Sequence, residues 1–203
     1  MPNRTIVYID GFNLYFGLID QGWKRFLWLN LVDFSKSIIP KTNKFIKIKY
    51  FTSIVKGNKD KVKRQKLFTR ANESLKNISF YYGQYKNKDW KCNNCHHINK
   101  SPTEKKTDVN IATHMLIDAF QDNFDTAVLI SGDSDLSPPI TAITKLFPEK
   151  FIIVAFPPKR ITIDLKKVAS SYINIFKKNF SRNQLPSKIK LKNGKFIYKP
   201  SKW

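Results

Sequence analysis

Short, unbroken apolar runs alternate with helical segments along this chain. The runs at residues 5–9, 126–130 and 151–155 are rich in Val, Ile and Ala, and apolar and polar residues do not alternate within them. Strands that are buried on both faces have this composition, whereas strands with one face in water alternate apolar and polar residues. The pattern predicts an α/β fold, a three-layer α/β/α sandwich around a mostly parallel central sheet.

The other segments fit the same plan. Further strands are predicted at residues 45–51, 78–82 and 172–176, and helices at residues 30–39, 59–76 and 161–169, from Thr107, and after Asp135. The apolar face predicted for the helix from Thr107 is made by Val109, Ala112, Leu116 and Phe120.

The chain is strongly basic. It contains 37 Lys+Arg against 15 Asp+Glu, a formal net charge of +22. An excess of this size creates a field that attracts polyanions, and nucleic acid is the commonest such partner. Lys59, Lys63, Lys66 and Arg70 form one face of the helix at residues 59–76. That face suits a surface that follows a phosphate backbone and, equally, an ordinary solvated surface.

Composition also bounds the class of protein. Two cysteines cannot build a disulfide framework, the apolar runs are too short to span a bilayer, and residues 1–10 do not resemble a signal peptide. We therefore expect a cytoplasmic protein with no membrane partner. Residues 1–178 are expected to form one domain with a polar insertion at about 86–106, followed by a basic tail at 179–203.

The tail carries a hairpin signal. Asn193-Gly194 stands between alternating residues, which predicts a two-residue turn that pairs Leu191 with Phe196 and Ile189 with Tyr198. Such an arm could act as a clamp on a partner or pack on the core.

Acidic residues are scarce, and four of them occupy related places. Asp10, Asp133 and Asp135 follow predicted strands directly, and Asp108 begins a predicted helix. The carboxyl ends of parallel strands meet in one crevice, so these carboxylates are expected to converge there. Converging carboxylates repel one another unless a cation lies between them, and oxygen donors favour Mg²⁺ or Mn²⁺. Turn and helix-capping chemistry is the alternative explanation for each acid taken alone.

Such a metal site suits hydrolysis of a phosphodiester bond. The neutral side chains of Asn13, Ser131 and Ser134 could orient a ligand or phosphate beside it, and Lys63 and Arg70 could bind the nucleic-acid backbone. Exposed aromatic residues could stack on unpaired bases, with core packing as the alternative for each of them: Tyr15, Phe16, Tyr81 and Tyr82.

Three segments in this order resemble the NYN domain family, the LabA-like branch of the PIN-like nuclease fold. They are residues 7–15 (VYIDGFNLY), 104–120 (EKKTDVNIATHMLIDAF) and 128–136 (VLISGDSDL), and the Lys-Pro-x-x-Trp ending at Trp203 looks like the close of bacterial members. The resemblance implies a Rossmann-like three-layer sandwich and metal-dependent cleavage of RNA. It also implies that Asn13 and Ser131 line the pocket and that four acids bind the metal: Asp10, Asp108, Asp133 and Asp135.

The insertion contains a possible second metal site. Cys92-x-x-Cys95 has the spacing of half a zinc site, and His96 or His97 could supply a third ligand. The fourth would have to be His114, an acid, water or a residue of another protomer. A redox pair and a plain solvent loop are the alternatives.

The function predicted from the sequence is that of a Mg²⁺- or Mn²⁺-dependent ribonuclease acting on single-stranded or structured RNA. A nucleic-acid-binding regulatory module without turnover is the alternative. A phosphatase or nucleotide-binding protein is a third possibility, which the broad basic surface disfavours. No P-loop, dinucleotide-binding glycine motif or Ser/His/Asp triad can be assembled from these residues.

Overall fold

The chain folds into a three-layer α/β sandwich with two small two-stranded sheets beside it. In the computed structural model, residues 3–55, 58–91, 95, 98–191 and 193–201 are described. The strands are β1 (Arg4–Asp10), β2 (Lys44–Thr52), β3 (Ile78–Tyr82), β4 (Gln84–Lys91), β5 (Ile98–Lys105), β6 (Thr126–Ile130), β7 (Phe151–Phe156), β8 (Ser171–Asn174), β9 (Lys188–Lys190) and β10 (Phe196–Tyr198). The helices are α1 (Gly11–Asp20), α2 (Leu31–Lys36), α3 (Lys59–Glu73), α4 (Thr107–Phe120), α5 (Ser137–Leu146), α6 (Ile163–Val168) and α7 (Lys177–Ser181).

The central sheet is parallel throughout. Six strands pair in the order β3-β2-β1-β6-β7-β8. The chain first builds outward from β1 to β3 and then returns to place β6 on the other side of β1, with Ile9 opposite Ile130. The strand order therefore reverses at the β1–β6 pair. In open sheets of this kind, ligands bind in the crevice outside the carboxyl ends at this switch point.

Two helix layers cover the sheet, as predicted. Leu14 and Leu18 of α1, Phe34 of α2 and Phe180 of α7 belong to the core on one face. Helices α4, α5 and α6 cover the other face, where Ile111, Met115, Ile140 and Leu165 join sheet residues such as Ile6 and Leu129. Strands that are covered on both sides require the unbroken apolar runs seen in the sequence.

Helix α4 packs on a different face from the predicted one. Val109 and Phe120 are 66% and 67% exposed, whereas Ile111, Met115 and Ala119 are buried. Asp118 lies on the buried face as well, 1% exposed, where Lys49 and Tyr8 bind its carboxylate. The buried face of this helix therefore contains both apolar residues and one member of an ion pair.

The polar insertion forms an antiparallel hairpin. Strands β4 and β5 pair from Gln84 opposite Lys105 to Lys91 opposite Ile98. Cys95 lies between them as an exposed free thiol. Cys92, His96 and His97 lie outside the described residues, so the predicted zinc site is not described.

The C-terminal arm packs on the core, and its register differs from the prediction. Ile189 pairs with Ile197, and the amide of Leu191 donates to the carbonyl of Lys195 at 2.8 Å. Gly194 adopts a left-handed φ of +78°, and its amide donates to the Leu191 carbonyl at 3.0 Å. These features define a three-residue turn with a bulge, which shifts the pairing by one residue from that of a two-residue turn.

A small third core holds this arm in place. Ile197 and Leu185 are buried against Trp28 and Ala71, and the indole N–H of Trp28 donates to the Pro186 carbonyl at 2.9 Å. Trp203 lies outside the described residues. Among the helices that the structure describes, none combines the length and the apolar character needed to cross a membrane.

Candidate metal centre

The candidate site is built where β1 and β6 end. Asp10 is the last residue of β1, and Ser131 follows β6 directly. Because the two strands are parallel neighbours with Ile9 opposite Ile130, their next residues lie side by side at the switch point. The predicted convergence of these two strand ends is therefore present in the structure.

Hydrogen bonds hold the carboxylate of Asp10 in one orientation. Its Oδ1 accepts the backbone amide of Asn13 at 3.0 Å and so caps α1, while its Oδ2 accepts the hydroxyl of Ser131 at 2.9 Å. The Ser131 Oγ also accepts the amide of Asp133 at 3.1 Å. The side-chain oxygen of Asn13 accepts the amide of Gly132 at 2.9 Å. These bonds join the start of α1 to the loop after β6.

Ser131 and Asn13 therefore act on the protein itself. The side chain of Ser131 is fully buried, and its hydroxyl orients the carboxylate of Asp10; its contact with a substrate stays a prediction. Asn13 is partly buried and holds Gly132. Both residues fix the shape of the site.

Asp108 supplies a third carboxylate, from helix α4 on the other side of the sheet. Asp108 lies in the first turn of α4, which begins after Lys106 takes a left-handed conformation with φ of 78°. One carboxylate oxygen from each of Asp10, Asp108 and Asp133 lies within 4.8 Å of the other two. Three carboxylates at this separation repel one another, and a divalent cation placed between them removes the repulsion. This donor set of hard oxygens could hold such a cation.

Burial and neighbouring negative charges change the pKa of Asp10. Burial raises the pKa of Asp10 to about 6, and the negative charges of Asp108 and Asp133 add to the rise, against the hydrogen bonds from Asn13 and Ser131. Ionised Asp10 therefore costs free energy in the folded protein when no cation offsets its charge.

We expect the metal-free protein to be about 1 kcal/mol more stable at pH 5 than at pH 7 because of this residue. The folded state binds the Asp10 proton more tightly than the unfolded state, so this contribution is present below pH 4 and is lost as the pH rises through 6. Urea unfolding in EDTA measures it. His114, whose pKa burial lowers, titrates in wild type and Asp10→Asn alike, so the difference between the two proteins isolates Asp10. Parallel pH profiles would contradict the prediction.

The remaining predicted site residues contribute no oxygen to this group of three among the described residues. Asp135 and Ser134 are exposed in the short 3₁₀ helix after Asp133, and among the described residues Asp135 does not join the three-oxygen group. Its amide donates to Asp133 Oδ1 at 3.0 Å. Lys63 and Arg70 line a shallow groove on the outer face of α3, which none of the three carboxylates borders.

Two glycines permit close approach at the site. A Cβ on Gly11 would lie 2.6 Å from the hydroxyl of Tyr50 and 2.7 Å from the carbonyl oxygen of Phe51. A Cβ on Gly132 would overlap the backbone carbonyl of Arg160. Larger residues at these positions would push the acid-bearing loops apart.

A cavity of about 460 Å³ opens beside the site, between α1 and α3. Gly11, the neighbour of Asp10, lines it, together with the aromatic residues Phe12, Tyr15, Phe16, Tyr50 and Phe68. Lys24, Lys61 and Arg64 also line it. We call this the α1–α3 cavity. The sequence predicts a nucleic-acid contact on the other basic face of α3, which carries Lys63 and Arg70. Lys61, Arg64 and Phe68 are three and four positions apart, so they lie on one face of α3. Because Phe68 packs against the core, this spacing is a sequence signal for the face that lines the cavity.

Comparisons with known proteins agree with this architecture. The family model for the NYN domain matches residues 4–176. The chain is 29% identical over 177 residues to a 6-hydroxy-3-succinoylpyridine 3-monooxygenase of Pseudomonas putida (strain DSM 28022 / S16). That alignment covers 70% of this chain, which spans 56% of the length of the relative. The crystal structure of a Vibrio parahaemolyticus protein of unknown function superposes with a TM-score of 0.63 at 16% identity, covering 88% of this chain and 96% of that one.

Proposed function

The chain belongs to the NYN domain family, and from this premise we propose that it is a divalent-metal-dependent nuclease that hydrolyses RNA. One observation carries the proposal. Asp10, Asp108 and Asp133 bring carboxylate oxygens within 4.8 Å of one another in a chain whose net charge is +22. A basic protein gathers a polyanion, and a local cluster of acids within it supports a cation at the place where the chemistry occurs.

The residues of the chain divide the work. Asp10, Asp108 and Asp133 would hold the cation, and Ser131 and the amide of Asn13 keep Asp10 aimed at it. When bound, a cation such as Mg²⁺ or Mn²⁺ lowers the pKa of water and offsets negative charge on phosphate oxygens. At the exposed side of the same loop, Asp135 is proposed to bind the cation through water and Ser134 to contact the incoming phosphate.

The outer basic face of α3 supplies the remaining proposed role. Lys63 and Arg70 line one groove of that face. In this proposal they bind the backbone of RNA at a distance from the cut bond, which adds affinity without sequence selection.

The relative from Pseudomonas putida bears the name of a monooxygenase, a different reaction. The chain spans 56% of that protein at 29% identity, and the three carboxylates support hydrolysis at a cation. The nuclease is therefore the function that we propose.

The test is cleavage of end-labelled single-stranded RNA and DNA by the purified protein with Mn²⁺, with Mg²⁺ or with EDTA. We expect cleavage of RNA that requires the metal and stops in EDTA. Cleavage of DNA alone would replace the proposed substrate. Binding without cleavage under every condition would overturn the nuclease and favour a regulatory module that binds nucleic acid.

A further inference from the structure

The α1–α3 cavity adjoins the carboxylates without sharing them. Gly11 lines the cavity and follows Asp10 in the chain, so cavity and carboxylate are one residue apart. The hydroxyl of Tyr50 packs against Gly11. Tyr50 is 7% exposed, and its hydroxyl makes no hydrogen bond to another described residue. Burial and the charge of Asp10 both raise the pKa of Tyr50, so this group is a neutral donor beside the acids.

The walls of the cavity are aromatic. Phe12 stacks on Phe16 with ring centroids 6.3 Å apart, and Tyr15 meets Phe16 edge to face at 5.3 Å. Tyr15 and Phe16 are 37% and 46% exposed, so their rings are available at the mouth. The volume of about 460 Å³ is within the usual range for sites that take a flat organic group.

The mouth of the cavity is positively charged. Among the residues that the structure describes, no carboxylate lies within ion-pair distance of Lys24, Lys61 or Arg64. Gln65 anchors this part of α3, since its Oε1 accepts the amide of Val55 at 2.9 Å and its Nε2 donates to the Ser53 carbonyl at 2.8 Å. The segment that carries Lys61 and Arg64 is therefore fixed, and among the described residues these two cations lack an ion-pair partner.

We propose that the α1–α3 cavity receives one unpaired base of a single-stranded nucleic acid, with Lys61 and Arg64 on the flanking phosphates. This inference rests on the proposed nuclease function, and it names the substrate class. A base enters such a cavity only when it is unstacked and unpaired, because a base within a duplex is covered on both faces. Because Gly11 lines the cavity and follows Asp10 in the chain, a strand with one base in the cavity would bring a neighbouring phosphate towards the carboxylates.

The test measures binding in EDTA, where cleavage does not interfere. A labelled 12-nucleotide single-stranded RNA and the same sequence in a blunt duplex are titrated with wild type and Phe16→Ala. Stacking on one base contributes about 1–3 kcal/mol, so Phe16→Ala should weaken single-strand binding about 5- to 150-fold. Duplex binding should not change. If Phe16→Ala folds poorly, Phe16→Leu replaces it in the test. Leucine keeps the bulk but loses the aromatic face, so it should also weaken single-strand binding.

Matched controls separate this cavity from general effects. Phe120→Ala removes a ring that is 67% exposed on the opposite face of the sheet and should leave RNA binding unchanged. The pair Lys61→Gln/Arg64→Gln should weaken single-strand binding more than Lys63→Gln/Arg70→Gln, which removes the same charge from the outer face of the same helix.

The outcomes distinguish this proposal from the nuclease itself. Single-strand binding that is indifferent to Phe16 and to the Lys61/Arg64 pair overturns the base site, even if the protein cleaves RNA. Dependence on Phe16 without cleavage under any metal supports the base site and removes the nuclease. A third outcome is that a free hydroxypyridine binds and its binding requires Phe16, whereas RNA binding does not. That outcome would assign the cavity to a small aromatic molecule and overturn the proposal.

Discussion

Replacing Asp10 by asparagine is expected to lower the rate of metal-dependent RNA cleavage by at least about a thousandfold. The amide removes one of three negative charges from the cation site, and a loss of about 4 kcal/mol of transition-state stabilisation corresponds to that factor. Asparagine retains a carbonyl oxygen that can accept the amide of Asn13, so the start of α1 should be preserved. Single-turnover cleavage at saturating protein measures the change.

Control measurements show whether the lower cleavage rate comes from loss of the Asp10 carboxylate or from a general effect of charge. Glu149→Gln removes an exposed charge in the turn before β7, at the amino ends of the strands and so opposite the site, and should leave the rate unchanged. RNA affinity in EDTA should be unaffected or slightly higher in Asp10→Asn, because a negative charge is removed near the phosphates. Full activity of Asp10→Asn would exclude Asp10 from the reaction, and equal losses in both variants would indicate a general effect of charge.

The second large effect is expected at a buried ion pair on the α4 side of the sheet. Lys49 Nζ lies 2.6 Å from Asp118 Oδ2, and the two side chains are 6% and 2% exposed. The hydroxyl of Tyr8 donates to the same carboxylate at 2.6 Å, and the amide of Asn123 donates to Oδ1 at 3.0 Å. His114 Nδ1 lies 3.3 Å from Lys49 Nζ. The pair is thus enclosed by polar partners.

Lys49→Met should lower the free energy of unfolding by about 3–5 kcal/mol. The methionine fills the space of the lysine stem but leaves the Asp118 carboxylate buried without its counter-charge. For a chain of this size, the melting temperature should fall by about 10 °C. Lys47→Met, on the same strand but partly exposed, is the matched control and should have little effect.

A double variant and a pH series test the cause. Lys49→Met/Asp118→Leu should recover part of the loss, because no uncompensated charge remains. Burial opposes ionisation of Asp118, but hydrogen bonds from Lys49, Tyr8 and Asn123 outweigh it and lower the pKa. The stabilisation from Asp118 is therefore present above its ordinary pKa near 4 and is lost as the pH falls further. Strictly additive losses, or an acid profile unchanged in Lys49→Met, would contradict this account.

The same ion pair lies on the helix face that differs from the predicted one. The spacing of apolar residues predicted Val109 and Phe120 on the buried face of α4, but both side chains are exposed. The face that packs inward contains a charged residue, Asp118, whose partner Lys49 is 69 positions earlier in the chain. Periodicity along the helix contains no information about such a partner, because the partner belongs to a strand.

The register of the C-terminal hairpin shows a related limit. The Asn-Gly pair correctly marked a turn, and Gly194 takes the left-handed conformation expected there. Two- and three-residue turns both use such a glycine. Burial of Ile197 beside Leu185 and Trp28 accompanies the longer turn, in which Ile189 faces Ile197.

By itself, the sequence determined the layers, the parallel sheet and the position of Asp10 and Asp133 after strands, because burial on both faces and turn chemistry are local properties of residue order. Tertiary structure alone decided which three carboxylates come within reach of one another, that Ser131 is buried as a partner of Asp10, and that an aromatic cavity opens next to Gly11. Those features depend on distances between segments far apart in the chain, and such distances are set only when helices and sheet pack together.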